Sequence, residues 1–380
     1  MSSLPDPKLK PTILILTVPH GASHRNAASA LARALTETEP GARVEVADAL
    51  ARSAAWFRAY YNSYEIPLKL WPELWGWIES VQHQSASTGP AWLYRRGARP
   101  LYRYIDSLDP DVLVATEVGV CEIAALHKRH SGARYRLGGV ELMDFNRAWV
   151  QPEVDLYLVT HPDLGDELAA AGAAREKIVS SGQPIDPKFA SLPPRNETRA
   201  RLGLDPALPL VLVLFGGTGH GKPRRIVSEL KRVDAPHQTV FITGRNQRLE
   251  QAIGSVAAEL PRSRVLGWVD NVHEWMVAAD LMISKPGGST LTEGFASGLP
   301  MLAYDPLPGN EQRTCAWIEK WGAGIWIHKT EDLAPTVDRL LENREDLVRL
   351  RDRAKSLARP NAAHDGARAI LELARRRAVL

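Results

Sequence analysis

Short apolar runs, each followed by a turn and a helix-forming segment, recur along the first half of the chain. The first run covers residues 13–18, and similar runs begin at Val112 and Leu156. A continuous apolar run of this length is typical of a parallel strand that is buried on both faces. Because the runs alternate with helical segments, the pattern predicts a doubly wound α/β domain over residues 1–185.

The same pattern restarts after a segment rich in proline, which predicts a linker at residues 186–208. An apolar run at 209–215 then opens a second series of predicted strands, at 239–243, 265–266, 280–284 and 300–304. This series predicts a second doubly wound domain over residues 209–361. The remaining residues, 362–380, form a basic, alanine-rich helix that is a candidate to pack back on the first domain.

Composition excludes several classes of protein. A hydrophobic fraction of 44% and a charged fraction of 24% are those of a globular protein, and a net charge of +3 over 380 residues does not favour nucleic-acid binding. Cys121 and Cys315 are the only cysteines, so neither a disulfide framework nor a cysteine metal site is expected. No apolar stretch is long enough to span a membrane, which predicts a cytoplasmic protein whose contact with membrane is peripheral.

Aromatic and cationic residues are concentrated in the first domain. Residues 56–77 contain four tryptophans and three tyrosines, and a group of arginines follows near residue 95. One interpretation is a solvated helix face, and the other is a surface that meets the headgroups of anionic lipids. The residues assigned to this surface are Trp71, Trp75, Trp77, Arg95, Arg96 and Arg99.

Two glycine-rich loops in the second domain carry candidate chemistry. The first, FGGTGHGK at residues 215–222, lies between a predicted strand and a helix. Its glycines Gly217 and Gly219 would let the backbone approach a phosphate. Alone this is a weak signal, because glycine-rich turns after strands are often only tight turns, and the spacing does not match a nucleoside-triphosphate P-loop.

The second loop, SKPGGSTLTE at residues 284–293, is more informative because it follows a strand and opens a helix that ends at Gly298. Ser289 or Thr290 can cap this helix, whose free N–H groups would face a diphosphate. Glu293 lies one turn further on, where a carboxylate could accept the ribose hydroxyls. The alternative is a capping box, in which Ser289 or Thr290 and Glu293 only satisfy the start of the helix.

Residues 267–300, which begin GWVDNVHEWM and end GLP, resemble the donor domain of glycosyltransferase family 28. That family includes the diacylglycerol glycosyltransferases and the GlcNAc transferase of peptidoglycan synthesis. The segments FITGRN at 241–246 and PGNEQ at 308–312, and His24 with Arg25, are similar to the same family. The resemblance implies a GT-B fold, in which two Rossmann-like domains face each other across a cleft. The UDP-sugar then binds the C-terminal domain and the acceptor binds the N-terminal domain.

The resemblance also implies roles for individual residues. By position, Gly217, Gly219, Gly288, Ser289 and Thr290 contact the diphosphate, Arg245, Asn246, Trp268 and Val269 lie near the nucleoside, Glu293 holds the ribose, and Glu311 and Gln312 bind sugar hydroxyls. Alternatives remain open, since Trp268 could be a core residue and Gln312 a surface amide.

His24 is the candidate general base, because an imidazole can accept a proton from an acceptor hydroxyl near neutral pH. One displacement would invert the anomeric carbon, and the helix dipole and loop amides, rather than a metal, would stabilise the leaving UDP. No cofactor is expected, since the UDP-sugar is a co-substrate. The chain departs from the family at Ala22 and Ser23, at Glu141, and at Asn146, and Asp144 is a candidate acidic partner.

The leading hypothesis is therefore an inverting transferase that moves a hexose from a UDP-sugar to a lipid hydroxyl, with diacylglycerol as the first candidate. Its partners would be the UDP-hexose, the lipid acceptor and the anionic surface at the inner face of the cell membrane, without nucleic acid. One alternative is an enzyme like UDP-GlcNAc 2-epimerase, which shares the two-domain fold. Another is a non-catalytic protein that binds a UDP-sugar or a lipid.

Overall fold

The chain divides into two compact units, one made of Met1–Pro187 with Asn361–Leu380 and the other of Lys188–Pro360. The computed structural model describes residues 10–63, 70–143, 145–216 and 223–377. Each unit contains a six-stranded sheet in which all neighbouring strands are parallel. Both are doubly wound α/β folds, as the alternation of apolar runs and helical segments predicts.

The sheet of the first unit has the order β2-β1-β3-β4-β5-β6. Its strands are β1 (Thr12–Thr17), β2 (Arg43–Asp48), β3 (Val112–Ala115), β4 (Arg136–Val140), β5 (Val154–Leu158) and β6 (Ile178–Val179). The order reverses between β1 and β3, so the connections after these two strands leave in opposite directions. In open parallel sheets this switch point, at the carboxyl ends of the strands, is where ligands bind.

Helices cover both faces of this sheet. They are α1 (Ala22–Thr38), α2 (Ala55–Asn62), α3 (Pro72–Gln84), α4 (Ala91–Gly97), α5 (Arg99–Leu108), α6 (Val118–Ser131), α7 (Pro162–Ala170) and, from the end of the chain, α16 (Ala362–Arg377). The last helix packs on α1, where Leu31 and Leu35 share one apolar cluster with Ile370 and Leu371. No helix of the described residues has the length and hydropathy needed to cross a membrane.

The sheet of the second unit has the order β12-β11-β10-β7-β8-β9, and its switch point lies between β7 and β10. The strands are β7 (Leu210–Leu214), β8 (Gln238–Ile242), β9 (Ser263–Leu266), β10 (Leu281–Ser284), β11 (Met301–Tyr304) and β12 (Gly324–Ile327). The helices are α8 (Arg195–Arg201), α9 (Pro223–Leu230), α10 (Gln247–Ala257), α11 (Val272–Ala278), α12 (Gly288–Ala296), α13 (Asn310–Lys320), α14 (Leu333–Glu342) and α15 (Arg344–Ser356).

Most of the segment predicted as a linker, residues 186–208, is packed into the second unit. Its helix α8 carries Arg195, whose guanidinium lies 2.6 Å from one carboxylate oxygen of Asp280, and Arg199, which lies 3.3 Å from the other. Asp280 also accepts the backbone N–H of Leu210 at 2.8 Å. A single carboxylate therefore ties α8 to the starts of β7 and β10. The density of prolines, from which a linker was predicted, does not reveal these contacts.

We expect Asp280→Ala to lower the free energy of unfolding of the second unit by about 3 kcal/mol, because it leaves the nearly buried charge of Arg199 without a carboxylate beside it. Chemical denaturation followed by tryptophan fluorescence measures this loss. The control is Asp166→Ala in the first unit, which removes an exposed pair with Arg175 at 2.7 Å and should cost no more than about 0.5 kcal/mol. Equal losses in the two variants would contradict the assignment.

Candidate functional site

Helix α12 has no N-cap side chain that accepts its first N–H groups. Its N-cap is Gly287, and no side-chain capping hydrogen bond is present. Gly288, Ser289 and Thr290 form the first turn, so the prediction that Ser289 or Thr290 caps the helix is wrong. The capping-box alternative is excluded for the same reason. The amino end of α12 thus keeps a partial positive charge, and its N-cap side chain occupies none of its backbone donors.

This helix start lies at the switch point of the second sheet. Chain enters α12 from the carboxyl end of β10, and β10 pairs with β7. The connection after β7 turns at Gly216, whose φ of 67° is in the left-handed region, and leads into the glycine-rich loop. Gly217 and Gly219 of that loop lie outside the described residues. The two segments predicted to bind phosphate therefore leave adjacent strands at the same edge.

Arg245 and Trp268 meet next to this edge, after β8 and β9. The Arg245 guanidinium carbon lies 3.8 Å from the centroid of the Trp268 ring, a cation–π contact. Trp268 is 51% exposed, and its indole N–H donates to Asp270 at 2.8 Å. Trp268 is therefore not the core residue of the alternative interpretation. Its ring is exposed but fixed by these two contacts, and the half-buried Val269 is the next residue in the chain.

Asn246 has a structural task that the sequence did not reveal. It is the N-cap of α10, and its side-chain oxygen accepts the N–H of Leu249 at 3.0 Å. The side-chain oxygen of Asn246 is thus used within its own helix. The predicted contact of Asn246 with a nucleotide stays a prediction and would have to come from its amide nitrogen or its backbone.

Glu311 and Gln312 also contact their own loop. The Glu311 carboxylate accepts the N–H of Leu307 at 2.6 Å, and burial raises the pKa of this carboxyl group. The Gln312 side-chain oxygen lies 3.4 Å from the N–H of Gly309, the N-cap of α13. Gln312 is exposed, so it fits the alternative of a surface amide as well as the predicted sugar contact.

In the first unit, His24 lies at the switch point between β1 and β3. It belongs to the first turn of α1, which begins at Ala22, rather than to the preceding loop. Its Nδ1 atom is 2.5 Å from the backbone carbonyl oxygen of Thr116, directly after β3. Because a carbonyl only accepts, Nδ1 carries the proton, and in the neutral ring Nε2 then keeps its lone pair. This tautomer suits a general base that acts through Nε2.

The turn before His24 needs only one glycine. Gly21 has a φ of 70°, whereas Ala22 and Ser23 are helical, so their departure from a glycine-only run does not strain the backbone. A Cβ at Gly21 would lie 3.4 Å from Cδ2 and 4.0 Å from Nε2 of His24. Glycine at this position therefore also keeps side-chain atoms away from the ring edge that carries the lone pair.

The other departures from the family serve the packing of β4 and β5. Glu141 is buried, its carboxylate lies 3.3 Å from the N–H of Thr160, and its carbonyl accepts the Thr160 hydroxyl at 2.9 Å. Asn146 accepts the N–H of Ala148 at 2.9 Å and so starts the short turn that carries the buried Trp149. Asp144 lies outside the described residues.

An aromatic surface runs over α2, α3 and α4 of the first unit. Its exposed apolar side chains include Trp56 and Tyr60 of α2, Leu74, Trp77 and Val81 of α3, Trp71 just before α3, and Trp92 of α4. Arg95, Arg96 and Arg99 are also exposed, and none forms an ion pair with a described residue. The side chain of Trp75 lies outside the described ones. Side chains three and four positions apart share a helix face, so Trp92 lies beside Arg95 and Arg96.

Sequence reasoning missed Gly287 and Thr116, which both contribute through the main chain. Gly287 matters because it cannot cap α12, and Thr116 because its carbonyl sets the His24 tautomer. The Pro-Gly-Gly run after β10 was a usable signal for Gly287, since glycine is accepted at N-caps without a side-chain bond. Nothing in the local sequence of Thr116 predicts its partner 92 residues away.

Two protein families match successive parts of this chain. Residues 24–185 match the monogalactosyldiacylglycerol (MGDG) synthase family, and residues 222–357 match the glycosyl transferases group 1 family. A processive diacylglycerol beta-glucosyltransferase of Bacillus pumilus is 29% identical over 69% of each chain. The protein of that name from Bacillus thuringiensis is 26% identical over 95% of this chain and 94% of its own.

Solved structures share the fold at low sequence identity. The MurG of Acinetobacter baumannii has a TM-score of 0.67 and 17% identity, and covers 95% of this chain and 99% of its own. The S. aureus MnaA–UDP co-structure has a TM-score of 0.63 and 13% identity, and covers 93% of this chain and 94% of its own. At these identities the likeness shows the fold alone, and it does not favour one activity over another.

Two doubly wound units, each with candidate residues at its switch point, and the match to group 1 glycosyl transferases define a glycosyltransferase of the GT-B type. Within this class, the chain is similar to the MGDG synthases and to relatives named diacylglycerol glucosyltransferases. The chain is thus similar to the diacylglycerol glycosyltransferases along most of its length.

The capping role of Asn246 predicts a separable effect on stability. Asn246→Ala should lower the free energy of unfolding by about 1 kcal/mol, because it removes the acceptor of the Leu249 N–H. Asn246→Asp keeps an oxygen at the same place and should unfold close to the wild type. Urea denaturation of both variants measures this difference, and an Asp variant as unstable as the Ala variant would contradict the capping role.

Proposed function

We propose that the chain transfers a hexose from a UDP-sugar to the free hydroxyl of diacylglycerol, with inversion at the anomeric carbon. The observation that carries this proposal is the amino end of α12, whose N-cap is a glycine, at the switch point of the second sheet. The relatives named diacylglycerol glucosyltransferases support the acceptor class.

The diphosphate of the donor would accept the backbone N–H groups of Gly288, Ser289 and Thr290. Charge-assisted bonds at a helix start stabilise an anion most when its charge grows, and the β-phosphate gains charge as the sugar leaves. The Trp268 ring, with Arg245 stacked on it, supplies an aromatic surface against which the uracil of UDP can pack. Glu293, one turn into α12, is the proposed partner of the ribose.

His24 would take the proton of the attacking hydroxyl. The bond from Nδ1 to Thr116 leaves Nε2 as the acceptor, and Gly21 keeps that edge of the ring accessible. The oxygen of the lipid hydroxyl then bonds to the anomeric carbon as the bond to UDP breaks. The proton passes to Nε2, and the two electrons of the broken bond leave with UDP.

We also propose that the aromatic surface docks on anionic lipid at the inner face of the cell membrane. Trp77 and Trp92 are 64% and 67% exposed, far more than large apolar side chains usually are. The adjacent Arg95 and Arg96 add positive charge that anionic headgroups attract. Such a surface would bring the first unit to a lipid acceptor without a membrane-spanning helix.

The activity is tested with purified protein, vesicles that contain diacylglycerol, and separate reactions with UDP-glucose, UDP-galactose and UDP-GlcNAc. We expect UDP release that depends on diacylglycerol, a β-linked glycolipid by mass and NMR analysis, and a loss of at least about 100-fold in His24→Gln. Release of UDP from none of the donors would contradict the proposal. Conversion of UDP-GlcNAc without acceptor would instead support the epimerase alternative.

The phosphate contact is tested with Gly288→Pro. Proline suits the first position of a helix, and Gly287 already has the extended ψ of 139° that a residue before proline prefers, so the variant should fold. It lacks one N–H, and we expect UDP to bind at least about tenfold more weakly by calorimetry. The control Gly287→Ala adds a methyl group in open space and keeps every N–H, so its affinity should be unchanged.

The membrane contact is tested with the double variant Trp77→Ala, Trp92→Ala. Loss of two exposed indoles should weaken binding to vesicles of anionic lipid by about tenfold or more, measured by sedimentation. Trp268→Ala is the control, because Trp268 is also half-exposed but lies in the second unit. If the control loses as much vesicle binding as the double variant, the aromatic surface is not the docking site.

A further inference from the structure

The orientation of the His24 ring depends on the segment that follows β3. Nδ1 donates to the Thr116 carbonyl, so a shift of that carbonyl either moves the ring or releases the bond. The next residue, Glu117, is the N-cap of α6. Its carboxylate accepts the N–H groups of Gly119 and Val120 at 3.0 and 2.9 Å. The carbonyl that orients His24 is therefore anchored through Glu117.

Glu117 is in turn held by Tyr61, the penultimate residue of α2. The Tyr61 hydroxyl donates to the Glu117 carboxylate at 2.7 Å. Burial and the nearby Glu117 charge raise the pKa of Tyr61 well above its ordinary value, so the hydroxyl keeps its proton and remains a donor. Gly119 makes room for this bond, because a Cβ at that position would collide with the Tyr61 hydroxyl.

The neighbouring residue, Asn62, holds the segment on the other side of His24. Its side-chain oxygen lies 2.7 Å from Nε2 of His20, in the turn between β1 and α1. Tyr61 and Asn62 are thus consecutive residues of one helix that fix two different segments. One segment accepts the bond from His24, and the other leads into the turn of α1 that contains it.

Helix α2 also reaches the aromatic surface. Phe57 and Tyr61 lie four residues apart, and Phe57 is fully buried, so this face of α2 packs inward. Trp56 and Tyr60, also four apart, are 46% and 43% exposed on the other side. The same short helix therefore connects the surface proposed to meet lipid with the two segments that frame His24.

We infer that Tyr61 and Asn62 are positioning residues for His24, which hold the Thr116 carbonyl and the turn before α1 so that Nδ1 stays protonated and Nε2 stays free. The role as a base rests on the proposed function, but the tautomer does not. Contact of Trp56 and Tyr60 with a lipid surface would then act on the same helix that sets the geometry of His24.

The test compares Tyr61→Phe and Asn62→Ala with the control Tyr135→Phe. Tyr135 also lies in the first unit and donates its hydroxyl to the same helix, α6, but at the carbonyl of Ala124, away from Thr116. The first readout is the ¹⁵N spectrum of labelled histidine rings in the full chain without substrate, with the His24 signals assigned by their loss in His24→Gln. The second readout is kcat and the KM for the UDP-sugar in diacylglycerol vesicles.

We expect Tyr61→Phe and Asn62→Ala to shift the His24 signals towards a mixture of tautomers and to lower kcat about tenfold, with KM for the donor changed less than about twofold. Tyr135→Phe should change neither readout. Unchanged His24 signals in both variants, or equal losses of kcat in all three, would overturn the inference. If the wild type transfers no hexose, the proposed function fails, while the ¹⁵N readout still decides the positioning role.

Discussion

Backbone N–H groups at the start of α12 are the feature on which the account of the second unit depends. Gly287 cannot cap the helix, and Ser289 and Thr290 lie too far along it to do so. The strand order then determines where these donors point, because β10 and β7 are neighbours at the point where the sheet reverses. Two features of different origin, a local glycine and the global topology, therefore place a helix start, a feature that commonly binds anions, where α/β sheets bind ligands.

The first unit applies the same constraint to a side chain. Its sheet reverses between β1 and β3, and the bond from His24 to the Thr116 carbonyl joins the segments that follow these two strands. The backbone oxygen can only accept, so the geometry sets the tautomer without a charged partner for the ring. A family resemblance can identify such a histidine, but the fold determines which of its nitrogens is available.

Much of the fold could be predicted from sequence because most strands are continuous apolar runs, such as β1 and β7. Three strands of the first unit, β2, β4 and the two-residue β6, were not predicted, the first two for physical reasons. The edge strand β2, RVEVAD, alternates charged and apolar residues, and β4, RLGGV, contains glycines that strands usually avoid. Gly139 of β4 is explained only by its packing, since a Cβ there would lie 3.0 Å from the Trp149 ring.

For the candidate site, the sequence predicted the main-chain features better than the side-chain contacts. Main-chain chemistry follows from glycine and helix patterns, but whether a polar side chain is available for a ligand depends on where a helix begins. Asn246 and Gln312 matched the family by position, and both contact the start of their own helix.

The most direct test of the central claim is a crystal structure of the chain with UDP. We predict β-phosphate oxygens within about 3 Å of the backbone nitrogens of residues 288–290. A diphosphate bound elsewhere, with these N–H groups facing water, would contradict the account.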